Sequence, residues 1–458
     1  LHIQNSRFVR ILNCDVSEWA RIPATITKGV AYDENGEPIN LDAGIYLDRS
    51  SQVVVERCYL HDPRLGSNDW DAGHPRGPTG IAVRADDTSG NHVVRWNDFI
   101  GSDDVRWNDG IEGYDNREIN GSFARDSDIY GNMLAYGNDD VIELDGGMEN
   151  VRFFQNKGQG FYCGVSVAPN RKGPSYIFNN VICRLEDGRG GSGAMIKQGG
   201  GDTWTRGMTY LFHNTFYSYG FGGIIGVGYG NDTNRSKFYA SSLNNLIYAL
   251  RDSCKTVEDR YDLPENSFDF DNLSNASRTT AVTDVANWQE PSGILNRRPV
   301  FSSSTGDDFS LAASSPSGLD HGTSIPNFSE AFNGSSPDQG AYEFGENVLI
   351  PARPLAVTTN KNLVEVHATA GGQSTTETVT LSIGDIGGNQ NFTLAKNSTT
   401  RWLKASPTSG TLASDSSTSL VFSINTNLVA SGSNRKAVVL VRTENGLSVP
   451  ITIHASIQ

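Results

Sequence analysis

At 458 residues the chain exceeds what one compact core usually holds. An elongated solenoid escapes that limit, because each coil buries its core only against its neighbours. The 49 glycines, with few runs of helix formers, point to many short strands and little helix. A net charge of −15 and a pI near 5.0 exclude the basic face that nucleic acid requires, and no stretch has the apolar length of a membrane span.

The chain begins inside a strand-like repeat, Ile3 to Val16, and is expected to continue upstream in further coils or a signal peptide. Cys14 and Cys58 occupy equivalent places in two similar segments, ILNCDV and VERCYL, which predicts stacked core residues rather than a disulfide. Five cysteines leave at least one thiol unpaired, and none forms a CxxC metal motif. An apolar-x-apolar-x-x-Asn-x-apolar phrase then recurs with its asparagine at Asn97, Asn132, Asn156, Asn180, Asn214 and Asn245. The spacings of 35, 24, 24, 34 and 31 residues fit coils of variable length. An asparagine at a fixed place in each coil predicts a side-chain ladder in a turn, where asparagine tolerates the left-handed conformation. Between the markers lie alternating segments, including DGIEGYD, DVIELDG, GVSVAP and AMIKQ, whose Ile111, Ile142, Val165 and Ile196 are expected to point inward.

From about Asp262 the pattern loosens. The run Pro299 to Phe344 resembles the closing coils of secreted bacterial β-helix proteins. After Glu346 a Pro-containing linker leads into short alternating segments separated by Gly, Asn and Ser turns, the signature of a β-sandwich. The expected fold is therefore all-β. A right-handed parallel β-helix spans 1–345, with closing loop-rich coils at 262–345, a linker at 346–357, and a small Ig-like sandwich at 358–458. The phrase RWLKASPTSGTL resembles BACON-like modules of bacterial polysaccharide-degrading proteins; its Trp402 is read as core, with sugar stacking as the alternative.

A β-helix sets outward side chains of successive coils about 5 Å apart, so carboxylates on adjacent coils crowd and push one pKa up. Acids concentrate this way in one region. Aligning Ile111 with Ile142 places Asp109 beside Asp140 and Glu112 beside Glu143, with Asp139, Asp115 and Asp145 near them. The next coil then brings Tyr162 and Cys163 to the aspartates and Ser166 to Glu143, and the one after it brings Lys197 to the glutamates. Three readings stay open: aspartates as turn formers, a calcium site, and catalysis, with Asp140 and Glu143 as the core members of a paired acid and base.

The succession NDGIE, GNDDVIE, GFYCGVSV and MIKQ resembles the polygalacturonase-type β-helix hydrolases. Their neighbouring coils carry NTDG, a DD pair, GHG and RIK. The resemblance implies that Asp109 corresponds to the NTDG aspartate, Asp139 and Asp140 to the DD pair, and Lys197 to the RIK lysine. Tyr162-Cys163-Gly164 stands where GHG would be, and Met195 where the RIK arginine would be. Hydrolysis by such carboxylates needs no cofactor.

Substrate grip is expected from Trp70, Trp107, Tyr114, Trp204, His74, Arg84, Arg117, Arg171 and Lys172, because aromatic rings match sugar faces and Arg forks match sulfate or carboxylate. Trp70 and His74 lie in a loop-like insertion, His61 to Pro78. The implied partner is an anionic polysaccharide such as a sulfated fucan, cleaved internally by a secreted, cell-surface or periplasmic bacterial protein. The alternatives are a lyase, with Lys197 or Tyr162 as base and Ca2+ held by Asp109, Glu112 and Glu143, and a non-catalytic adhesin. No G-x-S-x-G phrase supports serine catalysis, and no glycine run reads as a phosphate loop.

Overall fold

The computed structural model describes the chain apart from residues 28–29, 37–41, 65–77, 221, 227–233, 262, 276–289, 330, 347–349 and 351–352. Short parallel strands of the N-terminal part stack into long sheets, one strand per coil, giving the right-handed parallel β-helix the repeat predicts. One face is a nine-stranded sheet from Arg10–Leu12 to Ser267–Asp269. A second is a ten-stranded sheet from Asp15–Val16 to Ile294–Leu295. The third is in two parts. Four strands (His2–Gln4, Ala43–Asp48, Thr79–Arg84, Ile111–Gly113) are followed by five (Asp140–Glu143, Cys163–Val167, Ala194–Gln198, Gly222–Gly226, Lys255–Glu258). The only α-helix among the described residues is Gly201–Trp204.

Alternation makes the core. Ile45, Ile81 and Ile111 are in register on the third face, and beyond the break so are Ile142, Val165, Ile196, Ile224 and Val257; all are buried. Each such side chain contributes roughly 1.5–3 kcal/mol on leaving water. Contact between coils is tight: a Cβ on Gly164 would lie 2.1 Å from the Met195 carbonyl oxygen, so only glycine fits there.

The asparagines form a continuous buried ladder. Each of Asn97, Asn132, Asn156, Asn180 and Asn214 donates its amide to the side-chain oxygen of the next, at 2.8–3.1 Å, and Asn245 ends the ladder on Asp271. The left-handed conformation belongs to the residue before each one, at Trp96, Gly131, Gln155, Asn179, His213 and Asn244, rather than to the asparagine itself. That bend aims the following side chain inward. Cys58 stands in the same place one coil earlier, its backbone N–H donating to Asn97 Oδ1 at 2.9 Å, and all five cysteines are free.

The C-terminal part folds as two facing sheets around a separate core. One sheet holds Val357–Thr359, Glu377–Ile383, Ser417–Ile424 and Leu403–Ser406. The other holds Leu363–Ala368, Ser448–Ile457, Asn434–Thr443, Gln390–Ala395 and Ser409–Leu412. Trp402 is buried in this core, which removes it as a sugar platform. The sandwich lies against the ten-stranded sheet, with Val438 and Leu440 packed on Tyr59, Ile100, Met133 and Tyr136. Arg353, from the Pro-containing segment expected to be a stiff linker, is fully buried at this junction. It donates to Asp98 Oδ1 at 2.9 Å and to the carbonyls of Asn97, Gly131 and Ser448 at 2.9–3.1 Å.

Candidate active site

The site lies at the break in the third face. Asp109 immediately precedes the Gly110–Ile111 turn into its strand, and its carboxylate takes the place of a ladder carbonyl: Oδ1 accepts the backbone N–H of Asp140 at 2.7 Å, and Oδ2 accepts Asn108 Nδ2 at 2.9 Å. The Gly110 N–H donates to the Asp140 carbonyl at 3.1 Å, so the two coils remain joined around the inserted carboxylate. Register then fixes the rest of the column. Asp140 pairs with Cys163, and Glu143 with Ser166, which pairs with Lys197. The sequence alignment on Ile111, Ile142, Val165 and Ile196 thus puts these residues on neighbouring coils as they stand in the structure.

Asp109, Asp140 and Glu143 converge, each offering one oxygen within 4.8 Å of the others. All three are buried, as are Glu112, Asp139 and Asp145. The Lys197 ammonium contacts Asp140 Oδ2, and its side chain is 19 % exposed, which leaves one end of the cluster open to solvent. Asn116 Nδ2 donates to Glu143 Oε1 at 3.3 Å, and Asp145 accepts Ser166 Oγ at 2.9 Å and the Ala168 N–H at 2.6 Å.

Burial first, and then the charges of Glu143, Asp139, Glu112 and Asp140, push Asp109 well above the usual carboxylate range. Glu143 is likewise pushed well up by burial and Asp145, with Lys197 opposing. Asp139 is raised by burial against the pull of Lys197, and Asp145 is pushed up to about 6 by burial, again with Lys197 opposing. Burial alone would lower Lys197; Asp140, Asp139, Cys163 and Glu143 outweigh it and hold the ammonium well above its ordinary value.

The donor set is entirely oxygen, the choice of hard cations. Oxygens bound to one Ca2+ at about 2.3–2.6 Å lie at most about 5 Å apart, so Asp109, Asp140 and Glu143 fit such an ion. Glu112, expected among the calcium ligands, lies outside this trio, and Asp140 takes its place.

The expected grip residues separate by where they lie. Trp107 is fully buried and stacks on Trp19, with ring centroids 5.8 Å apart; it is core, because the chain turns inward between faces where strand alternation no longer applies. Tyr162 is half-buried, and burial together with Cys163, Asp187 and Asp139 raises its phenol, which makes it a poor base. Arg117, Arg171 and Trp204 gather beside the site: Arg171 donates to the Arg117 carbonyl and lies 4.9 Å from the Trp204 ring centroid, Arg117 pairs with Asp115 at 3.4 Å, and Lys172 donates to Asn120 at 3.1 Å. Tyr114 is 37 % exposed under Arg84, whose guanidinium lies 4.8 Å from the ring centroid. Trp70 and His74 lie outside the described residues. Two contributors are missing from the sequence reading. Asn116 holds Glu143, and Asp187 pins the turn beside Tyr162 by accepting the Arg189 and Gly191 N–H groups at 2.8 and 2.7 Å. The Y-D-N-R and E-D-G-R phrases around them look like ordinary turns.

No family model matches the chain, and no curated protein is similar to it in sequence. Among solved structures it is similar to pectate lyase Pel9A, with 15% identity over 73% of this chain and 87% of that one, at a TM-score of 0.34. It is also similar to tailspike protein gp49 from Acinetobacter baumannii bacteriophage Fri1, a capsular polysaccharide depolymerase, with 12% identity over 98% of this chain and 81% of that one, at a TM-score of 0.29. The periplasmic chaperone SfaE matches 22% of this chain at 11% identity and a TM-score of 0.19, and this chain spans 58% of the chaperone's length.

Proposed function

We propose that this chain is an enzyme that cleaves a uronate-containing polysaccharide by β-elimination, with Lys197 as the base and Asp109, Asp140 and Glu143 as the seat of a divalent cation. The observation that carries this reading is the convergence of three carboxylate oxygens within 4.8 Å, with the Lys197 ammonium against one of them. An inverting hydrolase wants its two carboxyls about 6.5–9.5 Å apart, with a water between them. The trio is tighter than that, and its crowding is the arrangement a shared cation relieves.

A bound divalent cation would neutralise the substrate carboxylate, acidifying the adjacent C–H, and would engage the oxygens that otherwise hold Lys197 charged. Lys197, on the open edge of the cluster, is placed to take that proton. Asn108 and the Asp140 N–H fix the Asp109 carboxylate, and Asn116 fixes Glu143, so that neither needs to reorient when substrate arrives. Once the Lys197 ammonium has released its proton to solvent, its amine would take the proton from the sugar carbon, the C–H electron pair would form the new double bond, and the glycosidic oxygen would leave as an alcohol with a proton from water.

A second reading, glycoside hydrolysis, is favoured by one specific observation. Burial pushes Glu143 and Asp109 well above the usual carboxylate range while Asp140 is paired with Lys197, an arrangement that sets a candidate proton donor beside an ionised carboxylate. This reading alone would serve a sulfated fucan, which has no uronate.

Incubation with pectate, alginate, chondroitin sulfate and, in parallel, sulfated fucan, with and without chelator, separates the two. Ultraviolet absorbance of unsaturated uronates that disappears with chelator is the expected result. New reducing ends without that absorbance would overturn elimination in favour of hydrolysis, and no cleavage of these or of sulfated fucan would overturn both.

A further inference from the structure

On the third face, strand pairing carries the site outward along the solenoid. Glu112 is in register with Ala82, Ala82 with Tyr46, and Tyr46 with His2. At the spacing of paired strands this column extends about 14 Å from the acidic cluster toward the first strand. Its members change character on the way. Next to Glu112 stands the small, buried Ala82. Beyond it Tyr46, half-buried, stacks on His2 with ring centroids 4.9 Å apart and presents a flat ring. The neighbouring column brings Arg84 and Tyr114 alongside: Asp48 pairs with Arg84, and Tyr114 directly follows Gly113, the partner of Val83.

His2, Tyr46, Asp48, Arg84 and Tyr114 line a groove of about 670 Å³ that continues through Arg84 and Tyr114 into a smaller one of about 220 Å³ reaching Asp115, the neighbour of the Asn116 that holds Glu143. Of the three carboxylates lining the larger groove two are occupied, Asp48 by Arg49 at 3.0 Å and Asp42 by Arg21 at 3.0 Å, and the third, Glu18, is exposed with no ion pair among the described residues. Arg84 is exposed and, among the described residues, has no ion pair with a carboxylate. It is therefore a cation that a passing anion meets in this groove, with its fork held over Tyr114 and hydrogen-bonded to Tyr46.

We infer that this groove is an extended binding site for an anionic polysaccharide lying along the β-helix axis, with Arg84 receiving the carboxylate or sulfate of a sugar and Tyr46 stacking on its ring. The inference rests on the reading of the acidic cluster as a polysaccharide-cleaving centre, since it supplies that centre with the subsites of one side. The physical basis is a match of chemistries: a guanidinium fork on a desolvating aromatic holds planar oxyanions, and rings hold sugar faces.

The test is binding rather than cleavage. Titration calorimetry in calcium-containing buffer would use Lys197→Met protein with a galacturonate hexamer, a chondroitin sulfate hexasaccharide and neutral cellohexaose. At least one anionic hexamer is expected to bind, with cellohexaose at least tenfold weaker. Arg84→Ala and Arg84→Gln should each weaken the anionic ligand tenfold or more, and Tyr46→Ala severalfold, all with melting temperatures near that of the parent. Unchanged affinity in both Arg84 variants, equal binding of cellohexaose, or no binding of either anionic hexamer would overturn the inference. Arg84-dependent binding by a protein whose wild type cleaves nothing would leave the groove standing and sink the elimination reading instead.

Discussion

Two buried polar columns run through the same solenoid, and they are opposites. The asparagine ladder and the carboxylate column both repeat a polar side chain from coil to coil. In the ladder every amide is neutral and doubly used: Asn156 Nδ2, for example, donates to Asn180 Oδ1 at 3.1 Å and to the Ile129 carbonyl at 2.9 Å, while its Oδ1 accepts from Asn132. In the carboxylate column the members raise one another's pKa, and Lys197 is the cation inside the cluster that opposes them. Buried polar groups that satisfy one another stabilise a fold; like charges held together by the rest of the fold mark a place kept for chemistry.

Four experiments would break or sharpen this contrast, beginning with the largest effect. Lys197→Met should lower cleavage by about 10²–10⁴-fold, the usual contribution of a general base. Turnover within tenfold of wild type, in protein with an intact melting transition, would remove Lys197 from the chemistry. Asn156→Ala should cost about 3 kcal/mol in urea unfolding, because it orphans the buried Asn132 N–H and the Ile129 carbonyl. A loss below about 1 kcal/mol would mean that water replaces the ladder. Calcium at about a hundred times its dissociation constant should stabilise the wild type by about 2.7 kcal/mol and Asp109→Asn far less; an equal gain in both would place the ion elsewhere.

The smallest effect is a pH dependence. Asp145, with a folded pKa of about 6 against an ordinary value of 3.8, binds its proton more tightly when folded. Its stabilising contribution is therefore complete below about pH 3.8 and is lost as pH rises through about 6. Between pH 7 and pH 5 the wild type should gain about 1 kcal/mol more than Asp145→Asn does. Parallel stability curves for the two proteins would contradict the shift.

The repeat was legible because its spacing is imposed by geometry: one asparagine per coil, and core residues in register wherever Ile142, Val165 and Ile196 align. The same alignment set Glu143, Ser166 and Lys197 in one column, since a parallel ladder without a bulge carries a local match straight across coils. Legibility failed where alternation stops. Trp107, in a corner between faces, reads like an exposed aromatic and turns inward. The left-handed residue precedes the ladder asparagine, a one-position offset that composition does not reveal. Arg353 looks like a solvated charge in a linker because its partners, Asp98 and three carbonyls, come from segments some 95 to 256 residues away. Long-range satisfaction of a single side chain leaves no local pattern.

The docking of the sandwich has a mechanical consequence. A solenoid frays from its ends, one coil at a time, since each coil is held only by its neighbours. Here successive coils are also pinned sideways: Tyr59 to Asn397, Asp98 and the Gly131 carbonyl to Arg353, Gln159 to Thr452 and Glu186 to Lys436. The coils splinted this way carry Asp109, Asp140, Glu143 and, at their far edge, Lys197. Pulled from either end, the molecule should therefore give way elsewhere first and surrender the carboxylate column last.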